Sequence, residues 1–265
     1  MLVREIRANT LLTPSGLADY AVNPYAGCQH GCVYCYAQRL TIWARRSSLP
    51  WGTWVYPKRN APEVLRRELR RRPPGTVMVG SVCDAYQPLE SSYRLTRRCL
   101  ELLAAAGFQL RVLTKSALVL RDLGLLRDAR ATVGITVTCV DADRQRRLEP
   151  AAAPTRVRVR VLELASAAGL DTYALVGPLV PVLCDDVGNI RQLLRQTAEA
   201  GARRILVDRL NLRPGVLHAM KFRVPEVGAV LRSRQAWQRY SHQLAATVLE
   251  LAEQLNLGDL VRLLW

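Results

Sequence analysis

Three cysteines crowd into eight residues of this chain: Cys28, Cys32 and Cys35, spaced C-x3-C-x2-C within NPYAGCQHGCVYCYAQ. Thiolates so close in sequence can converge on one inorganic centre. A structural zinc site normally takes four ligands, usually as two separated pairs, and no second CxxC or HxxxH pair exists here. Three cysteines on an iron–sulfur cube leave one iron open, and an open iron can bind and activate a small molecule. Gly27 and Gly31 let the backbone bend closely around such a centre. The remaining thiols are Cys83, Cys99, Cys139 and Cys184. An odd total of seven, without an apolar leader, argues against a disulfide framework. Cys99, Cys139 and Cys184 have no paired spacing and read as small buried hydrophobes.

The chain carrying this loop has 265 residues, with 38 Lys and Arg against 22 Asp and Glu, a formal charge of +16. Only Lys58, Lys115 and Lys221 are lysines. The excess suits a polyanionic partner such as nucleic acid, since arginines gain affinity by displacing phosphate counterions. It equally suits a GC-rich genome that encodes arginine in place of lysine, and charge alone does not separate the two. A composition of 49% hydrophobic and 23% charged residues is that of a globular protein with a large core. No apolar run reaches the roughly 20 residues that cross a bilayer, and the N-terminus lacks a secretory apolar segment. The expectation is a cytoplasmic protein with no membrane contact.

From residue 76 onward, short apolar runs alternate with amphipathic segments. Strands are expected near 76–82, 110–115, 132–139, 172–176 and 204–208, and helices near 92–106, 117–127, 155–168 and 187–200. Near-continuous apolar strands suit a parallel sheet covered on both faces. An earlier unit adds a strand near 19–23, the cysteine loop and a helix near 36–45, followed by a basic helix near 63–72. Six strand–helix units are too few for a closed eight-unit barrel, so an α/β fold with a partial, open (β/α)6 barrel over about 18–210 is expected. Pro214, Gly215, Pro225 and Gly228 break the rhythm, so 211–234 reads as a long loop or lid before a final helix near 235–255. Nothing marks a second domain.

The cysteine spacing, with Tyr34 as the aromatic before the third cysteine, resembles that of the radical S-adenosylmethionine (SAM) superfamily. The order YAVNPYAGCQHGCVYCYA, GSVCDAYQPLE, LTKSALVLRDLGLL, LEPAAAP and VGPLVPVLCDD is similar to that of proteins related to spore photoproduct lyase, over roughly 18–210. Twenty-seven residues precede the first cysteine, fewer than in those lyases.

The resemblance implies that Cys28, Cys32 and Cys35 bind a [4Fe-4S] cluster whose open iron is chelated by SAM. A flavodoxin- or ferredoxin-type donor would reduce it, and cleavage of SAM would yield methionine and a 5′-deoxyadenosyl radical that takes hydrogen from substrate. Lys115 matches the lysine directed at the SAM carboxylate. Ser81 and Asp84 stand where the amino group is contacted, and Thr136 matches a strand-end hydroxyl near the ribose. Arg158 is a cofactor-side arginine, with Arg156 and Arg160 as alternatives in register. Tyr34, Val176 and Gly177 pack near the adenine, while Tyr36 and Cys83 are the candidates to donate or relay hydrogen. His30, inside the loop, either touches the cofactors or faces solvent, and His218 and His242 join no constellation. The lyases engage DNA after the barrel, so arginines of 211–234 near Trp237 and Tyr240 would clamp phosphates and stack on bases. The substrate reading that follows is a nucleic acid or nucleotide. The rivals are a radical SAM enzyme for a small metabolite or peptide, and a non-catalytic metal-binding module.

Overall fold

The computed structural model describes residues 1–39, 44–45 and 47–265. Two sheets organise the chain. A small three-stranded sheet, ordered β1-β5-β4, comprises β1 (Leu2–Val3), β4 (Tyr25–Ala26) and β5 (Trp54–Pro57). It carries the chain into the cysteine loop. The main sheet has eight strands in the order β11-β10-β9-β8-β7-β6-β3-β2. These are β2 (Leu12–Pro14), β3 (Tyr20–Val22), β6 (Thr76–Val79), β7 (Gln109–Thr114), β8 (Thr132–Val137), β9 (Asp171–Leu179), β10 (Arg204–Arg209) and β11 (Val261–Leu263). All neighbours pair in parallel except β2, which runs antiparallel to β3.

The six expected strands are therefore present in order, and the α/β partial-barrel class holds. A further parallel strand, β11, follows the last helix, and β2 covers the opposite edge. Outside the sheet lie α1 (Ala61–Leu69), α2 (Glu90–Tyr93), α3 (Leu95–Ala105), α4 (Leu123–Asp128), α5 (Ala142–Leu148), α6 (Thr155–Ala167) and α7 (Val187–Glu199). Of the helix expected at 36–45, a 3-10 turn spans Tyr36–Arg39. Residues 40–43 and 46 lie outside the described residues. The helix expected at 92–106 is divided at Arg94, whose φ is 51°. The segment 211–234 is not a loop: α8 (Pro214–Arg223) and a 3-10 stretch (Pro225–Arg232) precede α9 (Arg234–Gln254). Both prolines sit at the start of their helix, where the missing N–H has no intrahelical partner to lose.

Side-chain parity divides the barrel. On β8 the residues Val133, Ile135 and Val137 are buried against the helices, as are Ala174 and Val176 on β9 and Ile205 and Val207 on β10. Each full burial of such a side chain contributes about 1.5–3 kcal/mol. The alternate residues face inward: Arg111 and Leu113 on β7, Thr132 on β8, Tyr173 and Leu175 on β9, and Arg204, Leu206 and Asp208 on β10 line a cavity of about 1310 Å3. A closed eight-stranded barrel fills this space with side chains; here the open seam leaves it hollow. The N-terminal residues 6–11 form one wall.

Gly134 keeps the hollow shape. A Cβ there would fall 2.1 Å from Cζ of Tyr173 on the neighbouring strand. Gly134→Ala should lower stability by about 1–3 kcal/mol through overpacking. The additional Tyr173→Ala change should relieve most of that loss, as read by denaturant unfolding of the single and double variants.

Candidate active site

The cysteine loop leaves β4 over the indole of Trp54. Gly27 has φ of 86°, and a Cβ at that position would lie 2.5 Å from the Trp54 carbonyl oxygen, so no other residue fits the turn. Cys28 and Cys32 are buried, Cys35 is half-buried, and all three thiols are free. The segment after β6 is fastened to this loop by paired amides. Gln29 N donates to Gln87 Oε1 at 2.9 Å, and Leu89 N donates to Gln29 Oε1 at 2.6 Å. Asn23 holds the same segment, accepting from Val82 N at 2.9 Å and donating to Ser81 Oγ at 3.0 Å.

Asp84 joins three elements. Its carboxylate accepts from Thr114 Oγ1 at 2.7 Å and from the Lys115 amide at 2.8 Å, and it lies 3.3 Å from His30 Nδ1. Its own amide donates to Cys28 Sγ at 3.4 Å. Burial works to raise the Asp84 pKa, yet His30, Thr114 and the Lys115 amide hold it well below the usual carboxylate range. His30 is thus buried at 3% exposure beside a carboxylate and does not face solvent.

Cys28, Cys32, Cys35, His30, Tyr34, Tyr36, Ser81, Cys83, Asp84, Lys115, Thr136 and Gly177 line one cavity of about 180 Å3 at the carboxyl ends of the strands. It shares Tyr36, Ser81, Leu113, Leu175 and Asp208 with the larger barrel cavity, so the two are continuous. The Lys115 ammonium stands 5.7 Å from the centroid of the Tyr34 ring. Burial would lower its pKa, but Cys32 and Glu149 raise it more, which keeps it charged. Tyr36 donates its hydroxyl hydrogen to the Ser81 carbonyl, and Arg213 lies 5.8 Å from its ring centroid. Burial pushes the Cys83 thiol up to about 12, with Lys58 opposing the shift, and its Sγ lies 3.7 Å from Asn23 Oδ1.

Two expectations need correction. Arg158 does not line the cavity: its side chain is fully buried behind Tyr34, donating to Glu149, to the Ala153 carbonyl at 2.6 Å and to the Thr136 carbonyl at 3.1 Å. Glu149 in turn accepts from the Tyr34 hydroxyl and from Thr138 Oγ1 at 2.9 Å. Val176 has the outward parity and packs in the helix-facing core, whereas Gly177 reaches the cavity. A Cβ on Gly177 would lie 2.5 Å from the Asp208 carbonyl oxygen. Trp237 and Tyr240 are engaged with each other, ring centroids 5.2 Å apart, with Arg209 5.4 Å from the Trp237 ring.

Sequence reasoning passed over Asp208, Asn23 and Trp51. Asp208 shares the inward parity of Lys115, Thr136 and Gly177, a signal that would have found it. Burial raises its pKa to about 6. Trp51 also lines the cysteine cavity, and its indole Nε1 is buried without an acceptor among the described residues.

The chemistry of this donor set fits an iron–sulfur cluster. Burial raises the Cys28 thiol well above its ordinary range and pushes the Cys32 thiol up to about 12, so the negative charge of bound thiolates must be met by a cation that the ligands enclose. Among the described residues, no three His, Cys, Asp or Glu side chains converge on a point that one metal ion would occupy. A cube is larger, and its sulfides would give the Trp51 N–H an acceptor.

The Glu149–Arg158 pair should dominate acid stability of this wall. Burial favours protonation of Glu149, but Arg158 and Lys115 hold its pKa to about 2, below its ordinary 4.5. Its contribution is therefore complete above pH 4.5 and lost as pH falls toward 2. Glu149→Gln leaves Arg158 uncompensated and should cost about 3–5 kcal/mol at pH 7. The variant's unfolding free energy should also fall less steeply than wild type over that acid window.

With this geometry in view, comparisons with known proteins are informative. The Radical SAM superfamily model matches residues 22–207. An uncharacterized protein of Methanocaldococcus jannaschii is 28% identical, covering 92% of both chains. One from Mycobacterium tuberculosis is 36% identical over 73% of this chain and 59% of its own length, so this chain spans less than two thirds of that relative. Among solved structures, spore photoproduct lyase complexed with dinucleoside spore photoproduct aligns over 99% of this chain and 82% of its own, with TM-score 0.72 and 15% identity. Streptococcus suis SuiB bound to S-adenosylmethionine aligns over 79% of this chain and 47% of its own, with TM-score 0.52 and 11% identity. Those two likenesses concern the fold. The family match spans the cysteine loop, the parallel strands β6 to β9 and the first four residues of β10, and the chain belongs to the radical SAM superfamily.

Proposed function

We propose that this protein is a radical SAM enzyme acting on a nucleic acid or nucleotide, with Cys28, Cys32 and Cys35 holding a [4Fe-4S] cluster. The observation that carries the reading is one continuous space: three free, largely buried cysteines and Lys115 at the strand ends, opening into a cavity of about 1310 Å3. When bound, cluster and SAM supply a strongly oxidising carbon radical; the chain supplies orientation and a substrate chamber. Lys115 offers an ammonium to the SAM carboxylate, Asp84 and Ser81 offer acceptors to its amino group, and Thr136 and Gly177 line the remainder. Tyr34, held by Glu149, forms the wall beneath Lys115. Tyr36, which lines both cavities, and Cys83, which lines the cysteine cavity, are the hydrogen donors, and the high thiol pKa keeps Cys83 protonated for that role. An external one-electron donor of flavodoxin or ferredoxin type is required.

One feature supports a large anionic substrate. Arg7, Arg111, Arg213 and Lys58 face the barrel cavity without a carboxylate partner among the described residues. No described helix is long and apolar enough to cross a membrane. A small metabolite or peptide is the second reading, favoured by Met220, Val224 and Val227 of 214–232, which pack with Cys32 and Tyr34 and cover that side of the site.

Anaerobically reconstituted protein should contain four irons and four sulfides per chain and, when reduced, convert SAM to 5′-deoxyadenosine. Cys32→Ala should reduce this to background, which a non-catalytic metal module would not show in the wild type either. Lys115→Ala should weaken SAM binding about 10–100-fold by removing a charge-assisted contact. Oligonucleotide binding should weaken at least about tenfold between 50 and 200 mM salt; salt-insensitive or absent binding would favour the small-substrate reading.

A further inference from the structure

Cys139 and Cys184 lie 45 positions apart in the sequence, and their sulfur atoms lie 2.6 Å apart in the fold. Both are fully buried. Non-bonded heavy atoms rest at about 3.5–4.0 Å, so these sulfurs share one packing position. Cys139 follows β8 and Cys184 follows β9, and the two backbones are tied together around them. The single side chain of Asn189 accepts from Val140 N at 2.8 Å and donates to the Cys184 carbonyl at 2.8 Å and the Thr138 carbonyl at 3.3 Å. Cys184 N donates to the Val180 carbonyl at 2.9 Å, and Thr155 Oγ1 donates to the Cys139 carbonyl. The thiols therefore face each other from anchored backbone. Among the described residues no third His, Cys, Asp or Glu completes a metal site with them. Cys99 is equally buried, on the core-facing side of α3.

We infer that Cys139 and Cys184 are a redox site of this protein, closing to an intramolecular disulfide across the β8 and β9 ends. The step takes a small-molecule disulfide such as oxidised glutathione as oxidant. One cysteine thiolate attacks it, forming a mixed disulfide and releasing one glutathione thiol. The second cysteine then attacks the protein-bound sulfur and releases the other. Two protein thiols thus lose two electrons and two protons, and the glutathione disulfide gains them as two thiols. Burial makes both thiols poor nucleophiles in the closed fold, so exchange proceeds through local opening and the finished bond is shielded from reductant. The bond staples the segment that leaves β8 through Thr138 to the segment that leaves β9 after Gly177. That is the wall on which Glu149 and Tyr34 rest, since Thr138 Oγ1 contacts both Glu149 and the Gly177 carbonyl.

The inference stands independently of the proposed substrate, and it is tested on the full chain. The reduced protein is incubated with oxidised glutathione, unfolded in N-ethylmaleimide, digested and mapped by mass spectrometry without reductant. The expected result is a peptide pair linked through Cys139 and Cys184, about 2 Da below the sum of its parts and separated by dithiothreitol, while Cys99 carries N-ethylmaleimide. The oxidised protein should also melt roughly 5–10 °C above the reduced one, a difference absent in Cys184→Ala. Recovery of both residues alkylated after prolonged oxidation, linkage of either to another cysteine, or glutathione adducts that never resolve would each overturn the assignment. The mapping uses the wild-type chain and so does not depend on the variant folding.

Discussion

A buried carboxylate with no solvent must be given donors, and at Asp84 donors come from two parts of the chain distant from its own segment. Leaving it unmet would cost several kcal/mol. Thr114 and the Lys115 amide arrive from the end of β7, and His30 arrives from the cysteine loop. Asp84 itself follows β6 and returns its amide to Cys28. Satisfying one charge therefore fixes the cysteine loop over the adjoining ends of β6 and β7, and it aims Lys115 into the same space. The paired amides of Gln29 and Gln87 extend this junction along the loop.

The hollow barrel follows from strand parity and an unclosed seam. Outward residues are aliphatics that pack on helices, while inward positions mix polar, charged and aromatic residues and glycine with Leu113, Leu175 and Leu206. Toward the amino ends of the strands the inward positions are Arg111, Thr132, Tyr173 and Arg204; toward the carboxyl ends they are Lys115, Thr136, Gly177 and Asp208. The same alternation that builds the sheet thus separates a chamber from the rim that lines the cysteine cavity. Behind that rim, the Arg158–Glu149 pair carries charge into the protein interior and orients Tyr34, so a residue that never meets the cavity shapes one of its walls.

Much of this was legible in the sequence because local patterns carry it. Cysteine spacing, the aromatic at Tyr34 and six apolar runs mark the loop and the barrel order. What escaped depends on contacts distant in sequence or on elements too short to show a period. β11 has three residues. The prolines at 214 and 225 read as breakers, though each begins a helix. Arg158 looked cofactor-facing because its partner Glu149 lies across a turn that no periodicity predicts. Cys139 and Cys184 looked unrelated because only the parallel pairing of β8 with β9 brings them together. Asp208 was within reach, since its parity matches residues already singled out.

The proposed chemistry requires that the three cysteines hold a cluster with one iron available to SAM. It is tested most directly by low-temperature EPR of the anaerobically reconstituted, chemically reduced protein with and without SAM. The expected result is an S = 1/2 signal of a reduced four-iron cluster whose g values shift on adding SAM. Absence of that signal, or a spectrum that SAM leaves unchanged, would contradict it.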